Sequence, residues 1–294
     1  MGVGWRDLDL IVRFKNEGYV RPNGAVVEIG AQQLSNDVLR NRQKIRELGQ
    51  AFGVTGEIDL PDPTASVLTH GQLEHLDSAA PPARLIWTWL GFEYAAIDID
   101  GSPGSIPLDL NFDEVPKRFR KHFQLVTNLG TTEHVANQLQ AFKIIHDLTA
   151  NGGVMIHNLP AQGFMNHGLV NYNLKFFWML ARSNGYKWIY SDFAVSDKSY
   201  SLPENIAGDV RNFEVSIDQR TKNYEVFDCG IAVAMQKVTD IEFVPPIDVP
   251  TGTVVTDKKL RNRYWTVFRP NVFRLRKIPL RWLSDFRRRF RGSQ

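Results

Sequence analysis

Short apolar runs closed by glycine alternate along this chain with longer stretches whose apolar residues recur every three or four positions. Residues 25–30 (AVVEIG) form the first such run, β-branched and bounded by Pro22, Gly24 and Gly30, and they read as a buried strand. Residues 6–20 precede it as an opening helix or loop. Ser35 is placed to cap a helix over 36–53, with Val38, Leu39, Ile45 and Leu48 at helical intervals. Residues 56–82 are rich in Pro, Asp and Ser and read as an insertion with little regular structure, a lid or a plain surface excursion.

A short helical pattern over 83–92 leads to a second buried strand, 94–100 (YAAIDID), which ends in acids. Residues 123–130 (FQLVTNLG) are the third strand. A helix follows over 132–153, with Val135, Leu139, Phe142, Ile145 and Leu148 on one face and Asn151-Gly152-Gly153 as its stop. Residues 154–160 give another strand, 172–186 a helix, and 187–195 and 223–238 two late strands. The alternation predicts a single α/β domain with a doubly wound, mostly parallel sheet.

Composition sharpens this picture in three ways. At 294 residues with 43% hydrophobic content the chain supports a large core. Its lone cysteine, Cys229 in the apolar CGIAVAM, excludes an internal disulfide framework and a Cys-rich zinc site. No run of eighteen or more apolar residues and no basic-then-apolar leader occurs, so a cytoplasmic protein is expected. The net charge of +3 hides an asymmetry: residues 258–294 hold 13 Lys and Arg against one acid, while 1–257 hold 22 against 31. The chain is therefore divided into a domain, 1–257, and a basic extension, 258–294. The extension interleaves Trp265, Phe268, Phe273, Trp282, Phe286 and Phe290 with arginines, which suits an anionic membrane surface. Packing of those aromatics back on the domain is the other reading. Pro270 and Pro279 disfavour a long helix that reads nucleic acid.

Ligands of doubly wound sheets bind outside the carboxyl ends of the strands, where the strand order reverses. Glu28 and Gly30, closing the first strand, belong at that mouth. The Gly-x-Gly-x-x-Gly cradle of nicotinamide cofactors is absent, and so is any His-Glu-x-x-His metal spacing; no metal is expected. After residues 154–160, the stretch 156–172 gathers His157, Asn158, Asn166, His167 and Tyr172 on an expected loop. His157 or His167 would serve there as a general base, and Tyr172, Asn158 and Asn166 would orient a polar acceptor. Each of these side chains has the alternative of satisfying the loop itself. His134 is expected to cap the following helix or to pack beneath the site.

In sequence order, VVEIGAQQL, YAAIDID, LDLNFDEVP and the block from FQLVTNLGTTEHV through GGVMIHNLP resemble the class I S-adenosylmethionine-dependent methyltransferases, over about residues 26–238. The resemblance implies that Asp98 binds the cofactor ribose, with Asp100 as the alternate. It implies that Asp109 takes the adenine amino group while Leu110 packs on the ring. Glu28 and Gly30 would lie at the methionine end, Glu28 pairing with the cofactor's amino group or orienting the loop, and Asn128, Leu129 and Gly130 would frame the methyl-transfer opening. The expected activity is methylation, an O-methylation of a small-molecule or glycan-type hydroxyl. The first loop departs from the family, because Gly30 is followed by Ala31, Gln32 and Gln33 rather than by further glycines. The alternative is accordingly a non-catalytic, methyltransferase-like scaffold attached through its basic tail.

Overall fold

The structure is a computed structural model that describes residues 2–60, 80–101, 104–165, 167–201, 225–250 and 253–268. Most of the expected insertion and residues 269–294 of the basic extension therefore lie outside the described residues.

A seven-stranded sheet forms the middle layer. Its strands are β1 (Ala25–Ile29), β2 (Glu93–Ile97), β3 (Ser105–Ile106), β4 (Phe123–Leu129), β5 (Thr149–Gln162), β6 (Lys187–Ser201) and β7 (Glu225–Gln236), in the order β3-β2-β1-β4-β5-β7-β6. β1 pairs in parallel with β2 on one side and β4 on the other, so Val27 faces Ala95 and Val126. The order reverses between β1 and β4. β7 alone runs antiparallel, inserted between β5 and β6.

Alternation along β1 explains how both faces are covered. Val27 and Ile29 join one core cluster with Phe142 and Ile145 of α5 (Gln138–Leu148) and Phe177 and Leu180 of α6 (Leu174–Asn184). Val26 joins the other, with Leu8 and Ile11 of α1 (Trp5–Asn16), Val38 of α2 (Asn36–Arg40), Ile45 and Leu48 of α3 (Arg42–Ala51) and Ile86 and Trp87 of α4 (Arg84–Trp89). All five β1 residues are buried, as a strand covered on both faces requires.

Among the boundaries that differ from the sequence reading, three have a local physical reason. The helix expected over 36–53 is two helices, because Asn41 leaves helical geometry (φ −112°, ψ 72°) and its side chain caps the second by accepting from Lys44 N at 3.0 Å. The helix expected from Thr132 opens as a 3-10 turn, Thr132–His134, and α5 starts after Asn137, which accepts from Gln140 N at 3.2 Å. Asn151-Gly-Gly153 is no helix stop but an irregular part of β5. There Gly152 takes φ +86° and the pairing register jumps between Thr149 and Val154. Beyond the sheet, α7 (Lys258–Arg263) and α8 (Trp265–Phe268) begin the basic extension. α8 packs on α6, with Thr266 and Val267 buried and Trp265 and Phe268 half-buried. Among the described residues no helix is long and apolar enough to cross a membrane.

Candidate functional site

The carboxyl ends of β1 and β4 face each other where the strand order reverses, and each is followed by a glycine in the left-handed region: Gly30 (φ +77°) and Gly130 (φ +84°). Gly30 is required twice over. A Cβ there would be strained by its φ and would stand 2.3 Å from Thr131 Oγ1. The loops after β1 and β4 are thus in close contact. Asp98, one residue beyond β2, accepts from Ala31 N at 2.8 Å with one carboxylate oxygen and from Asp100 N at 3.3 Å with the other. This half-buried carboxylate keeps acceptor capacity beyond those two bonds. The next side chain, Ile99, is 77% exposed, and Phe112 in the turn after β3 is 81% exposed. Ile99 was not singled out from the sequence; its place directly after the strand-ending acid was the available signal.

Glu28 does not reach the mouth. It points to the α4 face of the sheet and is fully buried, accepting from Trp87 Nε1 (2.7 Å), Tyr94 OH (2.7 Å) and the backbone N of Gln32 (3.0 Å). Burial pushes its carboxyl up to about 7, with the three donors acting in the opposite direction. Through Gln32 N it fixes the loop after β1. The Gln32 side chain lies buried over Gly30, its amide donating to Gly30 O at 3.2 Å and Thr131 Oγ1 at 3.1 Å.

On the β3 side, Asp109 Oδ1 accepts from Asn111 N at 2.7 Å, a local Asx turn that leaves its second oxygen outside that pairing. Leu110 is buried in the core beside Ile97 and Leu108 rather than presented at the surface. Asn128 is likewise turned inward. Its amide donates to Thr132 Oγ1 at 2.8 Å, its oxygen accepts from Thr132 N, and it contacts His157 Nδ1 at 3.2 Å.

Two of the three expected catalytic residues are structural. His157 lies inside β5, opposite Asn128, and its ring sits between Phe142 and Phe177 at centroid distances of 5.4 and 5.3 Å. Complete burial pulls its pKa down to about 3, so the ring is neutral and sealed from any acceptor. Tyr172 is buried as well, which raises its pKa, and its hydroxyl contacts Thr132 Oγ1 (2.9 Å) and Gln138 Oε1 (2.5 Å). Gln138 Oε1 only accepts, so Tyr172 donates to it and Thr132 donates to Tyr172. This closes a relay from Asn128 to Gln138 that locks the 3-10 turn to α5.

His167 alone of the three stands near solvent, with an 18% exposed side chain. The loop that carries it is pinned to the 3-10 turn, where Leu169 N and Val170 N donate to Glu133 O at 2.7 and 3.1 Å. His167 Nε2 lies 3.5 Å from Glu133 Oε1, and His134 Nε2 lies 3.8 Å from the same atom. Neither the sequence distance between residues 133 and 167 nor any motif joined these three. Asn158 Nδ2 instead donates to Asp7 of α1 at 3.1 Å, and Asn166 lies outside the described residues.

No family model matches the sequence, and no curated protein does. Among solved structures, the chain is similar to a Burkholderia thailandensis 1,6-didemethyltoxoflavin-N1-methyltransferase with bound 1,6-didemethyltoxoflavin and S-adenosylhomocysteine. The identity is 11%, the coverage 80% of this chain and 81% of that one, and the TM-score 0.39. A putative methyltransferase from Bacillus halodurans is 9% identical, with coverage of 80% and 100% and a TM-score of 0.41. An S-adenosylmethionine-dependent methyltransferase from Archaeoglobus fulgidus is 11% identical, with coverage of 78% and 94% and a TM-score of 0.37. At that distance the likeness assigns no residue. By its own strand order the chain has a doubly wound, Rossmann-like α/β fold with one antiparallel strand next to the last edge.

Proposed function

We propose that this protein is an S-adenosylmethionine-dependent methyltransferase whose cofactor lies across the carboxyl ends of β1, β2 and β4. The observation that carries the reading is Asp98, a half-buried carboxylate one residue past β2, tied to the loop after β1 beside the switch point. A ribose diol needs such an acceptor. Exposed Ile99 offers the apolar surface beside it for a purine, and the Asp109 oxygen outside the Asx turn stands on the β3 side. At the amino-acid end the fit depends on Gln32, a flexible side chain that covers Gly30 and has to swing aside.

The sulfonium of the cofactor supplies an electrophilic methyl group. The chain's own task is then to hold and align, and alignment carries most of the acceleration in such a transfer. We assign the acceptor to the side of the 3-10 turn and the 163–171 loop, and a small molecule or glycan bearing a hydroxyl suits the polar side chains there. His167 is the one expected base that keeps access to solvent.

A second reading is favoured by Gln32 itself, whose amide fills the space over Gly30 as a closed, non-catalytic scaffold would. Calorimetric titration with S-adenosylhomocysteine separates the two. Binding by the parent and its loss in Asp98→Ala support the enzyme; no binding by a folded parent supports the scaffold.

A further inference from the structure

We propose that Glu133, His134 and His167 form a binding site for one divalent transition-metal ion of the zinc class. The three side chains bring a carboxylate oxygen and two imidazole nitrogens within 4.8 Å of one another. The two His Nε2 atoms stand 3.5 and 3.8 Å from Glu133 Oε1, and the rings meet edge to face at 5.0 Å between centroids. Bonds of 2.0–2.1 Å in a tetrahedral zinc site separate donor atoms by about 3.3 Å, so small side-chain rotations complete the set. Two imidazoles and one carboxylate suit a borderline ion rather than calcium or magnesium, which prefer oxygen throughout.

The independent observation is Glu133. Its side chain is 0% exposed, and neither carboxylate oxygen has a hydrogen-bond partner among the described residues. An ionised carboxylate in that state is expensive to bury, and a cation is the usual compensation. The placement is also built rather than accidental. A Cβ on Gly168 would stand 2.8 Å from Glu133 Cγ, so the absence of a side chain lets the His167 loop close on the carboxylate. Two backbone donors from that loop grip Glu133 O, while the 46% exposed side chain of His134 opens the set to solvent. Three protein ligands leave at least one coordination position for an oxygen or nitrogen ligand. The site is independent of the cofactor reading, because none of its residues belongs to the Asp98 side of the crevice, and in the metal-loaded protein His167 is a ligand and gives up the role of base.

The test uses the full chain, stripped with chelator and titrated with Co²⁺ and then Zn²⁺. One equivalent of Co²⁺ is expected to develop a visible ligand-field band that Zn²⁺ bleaches, and Zn²⁺ is expected to raise the melting temperature. His134→Ala, at the exposed edge and safe for folding, and His167→Ala should each weaken binding at least about tenfold, on the scale by which metal sites respond to lost support. His122→Ala, an exposed histidine paired with Glu93, should leave binding unchanged. Absence of stoichiometric binding by the parent overturns the proposal. So does binding that survives in both His134→Ala and His167→Ala.

Discussion

The two halves of the crevice treat their buried polar groups in opposite ways. In the β1–β2 half every polar side chain that matters is matched: Glu28 takes three donors, Gln32 bridges two loops, and Asp98 holds Ala31 and Asp100. In the β4–β5 half, Phe142, Phe176, Phe177 and Tyr172 pack as an aromatic cluster, and Thr127 Oγ1, His157 Nε2 and both oxygens of Glu133 are buried without hydrogen-bond partners among the described residues. A matched network fixes a backbone and tolerates little change. An unmatched buried group is either carried by the packing around it, as His157 is, or awaits a ligand, as we infer for Glu133.

The largest effect should come from breaking the matched half. Glu28→Ala strands Trp87 Nε1, Tyr94 OH and Gln32 N together, and a loss of about 3–5 kcal/mol in urea unfolding is expected, on the scale of breaking buried charged networks. A loss under about 1 kcal/mol would mean that water replaces the carboxylate readily, against the matched-network account. Gly30→Ala comes next, at about 2–3 kcal/mol, from the left-handed backbone and the contact with Thr131. Adding Thr131→Ala should recover the contact part and leave the backbone part. Strict additivity of the two changes would show that the loops do not press on each other.

A pH dependence sharpens the contrast, with an effect per pH unit below those of the two substitutions. His157, held down to about 3 when folded, titrates near its ordinary value when unfolded, so its contribution is present above pH 6.5 and is lost as pH falls below it. The slope is about 1.4 kcal/mol per pH unit for one proton. Glu28, held up to about 7, acts in the reverse sense, with stability lost as pH rises from about 4.5 to about 7. His157→Gln should therefore flatten the acid side of the stability profile by about one proton. An unchanged slope between pH 4.5 and 6.5 would contradict its burial as a neutral ring.

These results also separate what the sequence made legible from what it did not. β1, β2 and β4 were readable because short apolar runs closed by acids or glycine have few alternatives, and the same pattern put Asp98 just past β2. His157 was grouped with the following loop although the expected strand, 154–160, already held it; it sits in mid-strand, paired on both sides with β4 and β7. Alternation held the missing signal: His157 shares a face with Met155 and Leu159, both in the core cluster. Asn128 was expected to frame the methyl-transfer opening and Leu110 to pack on the adenine ring, but both turn inward, because the direction of a side chain beyond a strand's core depends on packing that no local rule supplies. The Glu133–His134–His167 set was invisible for a similar reason, since only folding brings the β5 loop over the turn after β4.

The most direct measurement is a side-by-side titration of S-adenosylhomocysteine into the parent and Gln32→Ala. Because Gln32 covers Gly30 through a side chain that has to move, both proteins should bind one equivalent, and Gln32→Ala should bind as tightly or more tightly. Failure of both to bind, with each protein folded, would contradict a cofactor site at the ends of β1 and β2.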